Sequence, residues 1–211
     1  MDIQLSRTRH VRRAYGIDEI ALVPGDGTVD PSLVQSHWTL GGIERPMPVI
    51  ASAMDSVVDV SMAVQLSQLG ALGVLNLEGL QARYDDPGSA LEQIAAVEGE
   101  GFVGLMQELY SKPIREELIV ERVRQIKAAG GIAAVSATPA GAMAFGHAVA
   151  TAGADVFFVQ ATVVSTRHQS PPARTSWTSR RFVRKCPCRW CWATASPTGC
   201  AWSSSRPGPR G

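Results

Sequence analysis

Apolar runs with strand character alternate with helical patterns along the first 165 residues of the chain. After each short apolar run, apolar residues return every three or four positions, which is the spacing of a helix with one buried face. The predicted strands cover 48–54, 71–77, 132–136 and 154–160, and the predicted helices cover 57–70, 86–99, 111–131 and 140–153. The run 101–106 is interpreted as a further strand or a connecting segment.

The segment 111–131 carries the clearest helical pattern. Pro113 is expected in its first turn, a position that tolerates proline. One apolar stripe is formed by Ile114, Leu118, Ile119, Val123 and Ile126. This face is predicted to pack against the core.

Strand and helix alternating at this interval are typical of an α/β fold with a parallel sheet and covering helices. Both a barrel and an open doubly wound sheet fit the pattern. A dinucleotide-binding sheet needs a Gly-x-Gly-x-x-Gly turn directly after its first strand. The chain offers only "GDGTVDP" at 25–31, which lacks the third glycine and a following helix. A (β/α) barrel is therefore favoured, with its active site at the carboxyl ends of the strands.

Composition and charge exclude several classes of partner. The 211 residues with 45% hydrophobic content suit one domain or a fragment of a larger one. A formal charge of +1 gives no basis for capturing nucleic acid or an anionic membrane. The basic start of the chain lacks the apolar core of a signal peptide, and no run is long enough to span a bilayer. We expect a soluble, cytoplasmic protein without nucleic-acid or membrane partners.

The stretch "ASAMDSV" at 51–57 ends the first predicted strand with small polar residues, a methionine and an aspartate. Ser and Asp are common where a helix begins, because their oxygens accept hydrogen bonds from free backbone N–H groups. In a barrel, however, the same position lies at the active-site edge. The two interpretations predict different surroundings for these side chains.

Three segments, 20–40, 45–76 and 152–166, resemble the IMP dehydrogenase/GMP reductase family in order and spacing. The resemblance covers about residues 15–170, and Ser-Ala-Met-Asp is its most specific part. It implies a (β/α)8 TIM barrel, here incomplete, and an NAD- or NADP-dependent oxidoreductase with a catalytic cysteine. It also implies a purine nucleotide, IMP or GMP, as substrate and a homotetramer for the intact family member. The segment 76–94 leaves no room for CBS domains, as in the shorter branch of the family.

The resemblance also implies roles for individual residues. Ser52 and Met54 would contact the nucleotide, in agreement with the hydrogen bonding of a hydroxyl and the packing of a thioether on a purine. Asp55 would organise the loop or the ribose. Gln160, followed by Ala161, stands where the dehydrogenases carry an aspartate that holds the cofactor ribose. The choices between NAD and NADP, and between IMP oxidation and GMP reduction, therefore stay open.

The segment after Arg167 differs in composition from the rest, since it holds all four cysteines and four of the five tryptophans. Cys186, Cys188 and Cys191 could share a zinc ion, but no second ligand pair follows at zinc-finger spacing. Reread in the neighbouring frame, Lys185 to Gly199 become approximately V-P-V-P-V-V-L-G-N-C-V-T-Y-G, which resembles the missing family strand. We therefore expect a frameshift near 171–174. Residues 1–170 are then the N-terminal part of the barrel, and 171–211 form a non-native, disordered, out-of-frame tail.

Three functions follow from this interpretation. The first is a family oxidoreductase that is inactive as given, because no catalytic residue is identified and the loop with the nucleophilic cysteine is absent. The second is a purine-nucleotide-binding fragment without catalysis. The third is a metal-binding protein with a genuine cysteine-rich tail.

Overall fold

The computed structural model describes residues 15–161 apart from 16, 24, 98 and 100. It also describes the backbone of short strands before and after this range, at 2–6, 9–12, 167–168, 177–178, 190–195 and 202–205. The helices are α1 (Val60–Gln68), α2 (Pro87–Ala96), α3 (Gly101–Ser111), α4 (Glu116–Ala128) and α5 (Pro139–Thr151), with 3-10 helices at Ile17–Glu19, Pro31–Leu33 and Leu80–Ala82. The strands are β1 (Asp2–Ser6), β2 (Arg9–Arg12), β3 (Trp38–Leu40), β4 (Ile43–Arg45), β5 (Ile50–Ala51), β6 (Leu72–Asn76), β7 (Ala134–Ala137), β8 (Val156–Ala161), β9 (Arg167–His168), β10 (Trp177–Thr178), β11 (Trp190–Ala195) and β12 (Trp202–Ser205).

The central sheet has six strands in the order β12-β11-β8-β7-β6-β5. Its strands are parallel from β5 to β11, and β12 is antiparallel to β11. The carboxyl ends of the parallel strands therefore share one edge, here called the carboxyl edge. Within the described residues β5 and β12 terminate the sheet, so it does not close on itself. This arrangement confirms the predicted α/β fold of an incomplete barrel.

The central strands are buried on both faces, and their side chains alternate between two cores. Val135 and Phe157 pack in the larger core, between the sheet and the helices. Ala134, Val156 and Phe158 pack on the opposite face, under Leu40 of the β3–β4 hairpin. The alternation follows from the two-residue period of a strand. Two-sided burial explains why these strands read as continuous apolar runs.

Helix boundaries follow capping residues. The side chains of Asp59, Asp86 and Thr138 accept hydrogen bonds from the first-turn N–H groups of α1, α2 and α5. The predicted stripe on α4 is confirmed for its helical members, since Leu118, Ile119, Val123 and Ile126 are buried. Pro113 was expected inside this helix and instead precedes it, because α4 begins at Glu116.

The interpretation of 101–106 as a strand or connector is wrong, since these residues begin α3. Phe102 and Val103 are 44% and 62% exposed, so the apolar run is not buried on two faces as a central strand would be. Leu105 and Leu109 lie on one side of the helix and pack with Leu80. The helical spacing becomes visible only when the pattern is followed to residue 109.

The first predicted strand, 48–54, is shorter than expected, because only Ile50–Ala51 pair with β6. In the tail, β11 pairs in parallel with β8 over six residue pairs, from Trp190–Val156 to Ala195–Ala161. The expected disorder therefore does not describe β9 to β12, and the tryptophans of β10, β11 and β12 favour extended backbone. The other tail residues lie outside the described ranges, and the division at 170/171 stays a prediction.

Candidate functional site

The turn that follows β5 reaches the carboxyl edge as a compact loop. The N–H of Met54 donates to the carbonyl of Ser52 at 2.8 Å, and the N–H groups of Val57 and Val58 both donate to the carbonyl of Met54 at 2.9 Å. Val58 is fully buried and anchors the end of this loop in the core. The backbone of the loop is thus defined by its own hydrogen bonds and by one apolar anchor.

Ser52 and Met54 present their side chains at the surface of this loop. Ser52 is exposed, and Met54 is 52% exposed. Within the part of the chain that the structure describes, no hydrogen bond to the Ser52 hydroxyl is found. Helix α1 is capped by Asp59, whose carboxylate accepts from the N–H of Met62 at 2.7 Å. The stretch "ASAMDSV" therefore does not cap α1, and the side chains of Ser52 and Met54 are exposed to solvent.

Asp55 points the opposite way and is only 9% exposed. Its Oδ2 accepts hydrogen bonds from the N–H of Leu80 at 3.0 Å and from the hydroxyl of Tyr110 at 2.6 Å. Its Oδ1 is buried and has no hydrogen-bond partner among the described residues. Of the two roles left open for Asp55, this geometry is that of a residue that organises the loop.

The loop after β6 lies against Asp55. A Cβ atom added to Gly79 would lie 2.0 Å from Asp55 Oδ1, so this position has no room for a side chain. Tyr110 comes from α3 and lies in the cluster of Leu80, Ala90 and Leu109. Its partial burial and the adjacent Asp55 carboxylate raise the pKa of the Tyr110 phenol well above its usual range. The phenol therefore stays a hydrogen-bond donor at neutral pH.

The loops after β6 and β7 are joined by Glu78. Its carboxylate accepts from the backbone N–H of Thr138 at 2.6 Å and from the Thr138 hydroxyl at 2.9 Å. The N–H of Glu78 donates to Asn76 Oδ1 at 3.0 Å. Sequence reasoning overlooked Glu78 and Tyr110. The position of Asn76 and Glu78 at the carboxyl end of a predicted strand was a signal that could have identified Glu78.

Gln160 and Ala161 lie at the carboxyl end of β8, and Gln160 is half-buried. Strands β6 and β7 separate β8 from β5, so at about 4.8 Å per strand the two sites are about 14 Å apart along the sheet. The Gln160 amide can both donate hydrogen bonds to hydroxyl groups and accept hydrogen bonds from them. The structure brings all the predicted site residues to one edge but does not place the two groups in contact.

The described part of the chain also has a groove away from these residues. A groove of about 610 Å³ between α1, α2 and α4 includes neither Ser52 nor Gln160 among its lining residues. Within the described residues, no group of three or more His, Cys, Asp or Glu could hold a metal ion. Cys191 lies within β11, whereas Cys186, Cys188 and Cys200 lie outside the described residues. None of the described helices is long and apolar enough to cross a membrane.

Comparison with known proteins relates this edge to one family. The family model for the IMP dehydrogenase / GMP reductase domain matches residues 14–170. An uncharacterised oxidoreductase of Mycobacterium leprae is 35% identical over 168 residues, which are 77% of this chain and 45% of the relative. An inosine-5'-monophosphate dehydrogenase of Methanocaldococcus jannaschii is 33% identical over 72 residues, 34% of this chain and 14% of the relative.

A solved structure shows the same fold. The crystal structure of an IMP dehydrogenase/GMP reductase-like protein from Corynebacterium glutamicum matches with a TM-score of 0.76 and 24% identity, over 92% of this chain and 52% of that one. The matched residues span 45% of the length of the uncharacterised Mycobacterium leprae oxidoreductase, which is less than half of it. With the family model covering most of its residues, the chain belongs to the IMP dehydrogenase/GMP reductase family.

Proposed function

We propose that this chain binds a purine nucleotide, IMP or GMP, at the carboxyl edge through Ser52 and Met54. The observation that carries the proposal is the division within one loop: Ser52 and Met54 are exposed, whereas Asp55 is buried and ties the loop to Leu80 and Tyr110. Asp55 fixes the buried side of this loop, while the Ser52 hydroxyl and the Met54 thioether lie on its exposed side. Such a loop is suited to bind a ligand that has a sugar and a flat ring.

The chemistry of the two side chains matches such a ligand. The Ser52 hydroxyl can exchange hydrogen bonds with a ribose or phosphate oxygen, and the flexible Met54 side chain can pack against a purine face. Asp55 keeps the backbone between them in place through its buried hydrogen bonds. Asp55 thus contributes to binding through the loop and not through direct contact.

The wider function proposed is an oxidoreductase of purine nucleotide metabolism with NAD or NADP as cofactor. The half-buried Gln160 and the adjacent Ala161 would hold the cofactor ribose at the end of β8. When bound, the nicotinamide ring would accept or donate a hydride. Assembly into a homotetramer is part of the same proposal, and the exposed apolar residues Ile20, Leu22 and Val23 support it as surface available for burial.

The 211-residue polypeptide itself is proposed to bind nucleotide without turnover. Covalent chemistry in this family needs a cysteine in a glycine-rich loop, and no such loop is recognised in the sequence. Cys191 lies inside a strand of the sheet and is not presented by a loop. The first 170 residues, as the N-terminal part of the barrel, carry the proposed binding site.

The test is titration of IMP and GMP into the wild-type protein and a Ser52→Ala variant. Losing a hydroxyl that bonds a ligand costs about 0.5–1.5 kcal/mol, or up to about 3 if the partner is charged, so affinity should fall several-fold or more. Stability should change little, because Ser52 is exposed. The matched control is Ser56→Ala, which removes another exposed hydroxyl from the same loop and should leave affinity unchanged.

Calorimetric titration and thermal melting of all three proteins separate the outcomes. Equal affinity of the wild type and Ser52→Ala would contradict the assignment of Ser52. Equal weakening by both serine substitutions would contradict a specific contact, and would point to a general disturbance of the loop.

A further inference from the structure

We propose that Tyr110 is a positioning residue for the Ser52–Met54 turn and acts on it through Asp55. The link to ligand affinity rests on the proposed nucleotide site, whereas the effect on the turn itself does not. Tyr110 lies 55 positions after Asp55 in the chain and on a different element, α3. Nothing in the motif around Ser52 indicates that α3 takes part in the site.

The contact is short and belongs to a small network. The hydroxyl of Tyr110 donates to Asp55 Oδ2 at 2.6 Å, and the N–H of Leu80 donates to the same oxygen at 3.0 Å. Asp55 directly follows Met54, so the position of its carboxylate limits where the turn can lie. The Arg83 guanidinium lies 5.9 Å from the centroid of the Tyr110 ring and adds a weak attraction to it.

The burial of Asp55 makes the hydrogen bond from the Tyr110 hydroxyl important. Oδ1 is buried without a partner among the described residues, and only 9% of the residue is exposed. Buried carboxylates are tolerated when hydrogen bonds satisfy them. Without the Tyr110 hydroxyl, Asp55 would keep only the Leu80 N–H among its described donors. The carboxylate would then move towards water and take the turn with it.

A second tyrosine in the same cluster provides an internal comparison. The Tyr84 hydroxyl donates to the backbone carbonyl of Leu109 at 3.1 Å, on α3 itself. Tyr84 packs in the cluster that holds Tyr110, but among the described residues its hydroxyl makes no hydrogen bond to the Asp55 loop. Loss of either hydroxyl removes one hydrogen bond made by α3. Only the loss at Tyr110 removes a donor to Asp55 and so affects the Ser52–Met54 turn. The pair separates a positioning role from a structural one.

Amide hydrogen exchange tests the effect on the turn without any ligand. In Tyr110→Phe, the Val57 and Val58 amides, which both bond the Met54 carbonyl, should exchange several-fold faster than in the wild type. In Tyr84→Phe their rates should stay at the wild-type level. Asp55→Asn is the second variant, and it should also speed exchange because it weakens the acceptor. Equal rates at these amides in Tyr110→Phe and Tyr84→Phe would overturn the positioning role.

Titration of the full chain with IMP and with GMP tests the consequence for the site. Tyr110→Phe should bind several-fold more weakly than Tyr84→Phe. Unchanged affinity together with faster exchange would overturn the link between Tyr110 and the ligand. A wild type that binds neither nucleotide, while the exchange effect is present, would overturn the proposed function and leave the positioning of the turn standing.

Discussion

At the scale of single residues, the requirement for Gly79 comes from space and not from backbone conformation. Its φ of −94° and ψ of −161° are open to any residue. An added Cβ, however, would lie 2.0 and 2.2 Å from the two carboxylate oxygens of Asp55. Because the carboxylate would have to leave its buried donors, Gly79→Ala should lower the free energy of unfolding by about 1–3 kcal/mol.

Urea denaturation checks this prediction against Gly104→Ala as control. Gly104 lies inside α3 with no atom within 4 Å of an added Cβ, so alanine there should stabilise by up to about 1 kcal/mol. A neutral or stabilising effect at Gly79 would show that Asp55 adapts at little cost. Comparison of the two substitutions therefore distinguishes the effect of steric crowding at Gly79 from the effect of helix propensity at Gly104.

The residues of the site differ in how far sequence could identify them. Ser52 and Met54 lie in one motif that also resembles a known family, so local sequence alone was enough to propose them. Tyr110 contacts Asp55 across 55 positions, and no periodicity in one chain encodes such a pair. The buried, half-satisfied state of Asp55 depends on that contact, and so only the folded structure shows it.

At the scale of elements, the strongly periodic segments were predictable and the short apolar ones were not. Helix α4 has an apolar stripe over three turns, and its burial follows the prediction. The run 101–106 is too short to distinguish a strand from part of a helix. A buried strand and a buried helical segment can both give a short continuous apolar run, so periodicity does not decide between them. Packing of Leu105 and Leu109 on Leu80 decides in favour of α3. The strand predicted at 48–54 was too long, since only Ile50–Ala51 pair with β6 and 52–54 belong to the loop after β5.

The contact of α3 with the loop also gives the protein a pH dependence. The pKa of Tyr110 is raised in the folded state, mainly by burial and then by Asp55, from an ordinary value near 10. A raised pKa contributes stability that is complete below the unfolded value and is lost as pH rises above about 10. Urea midpoints between pH 8 and 11 should therefore fall more steeply for wild type and Tyr84→Phe than for Tyr110→Phe. If the urea midpoints of the three proteins fell with pH at the same rate, the Tyr110 phenol would not contribute to the pH dependence of stability.

At the scale of the whole molecule, the open sheet has a consequence for association. Among the described strands β5 is its edge at one end, and Ile50 in that strand is 43% exposed. An exposed edge with apolar side chains can pair with another chain, whereas a lysine on the edge opposes such pairing. Ile50→Lys should therefore reduce concentration-dependent self-association, measured by sedimentation velocity.

The control is Leu33→Lys, at a residue that is 72% exposed but lies in a 3-10 helix outside the sheet. It adds the same charge and removes a similar exposed side chain. Equal reduction by both substitutions would assign the association to general apolar exposure and not to the sheet edge.

The salt bridge at the base of the α2–α3 hairpin has a consequence for how this protein can evolve. Arg115 donates to the two carboxylate oxygens of Asp85 at 2.7 and 3.0 Å, and its backbone N–H donates to the carbonyl of Ala82 at 2.9 Å. The chain thus leaves the barrel and returns to it at neighbouring points, and the excursion between them packs in a small cluster with Leu80 and Tyr84. Where entry and exit meet, a segment can be lengthened, shortened or exchanged without moving the strands on either side. The stretch between Asp85 and Arg115 is therefore a natural insertion point, at which a lineage can gain a module while the carboxyl edge stays intact, provided that Tyr110 keeps its hydrogen bond to Asp55.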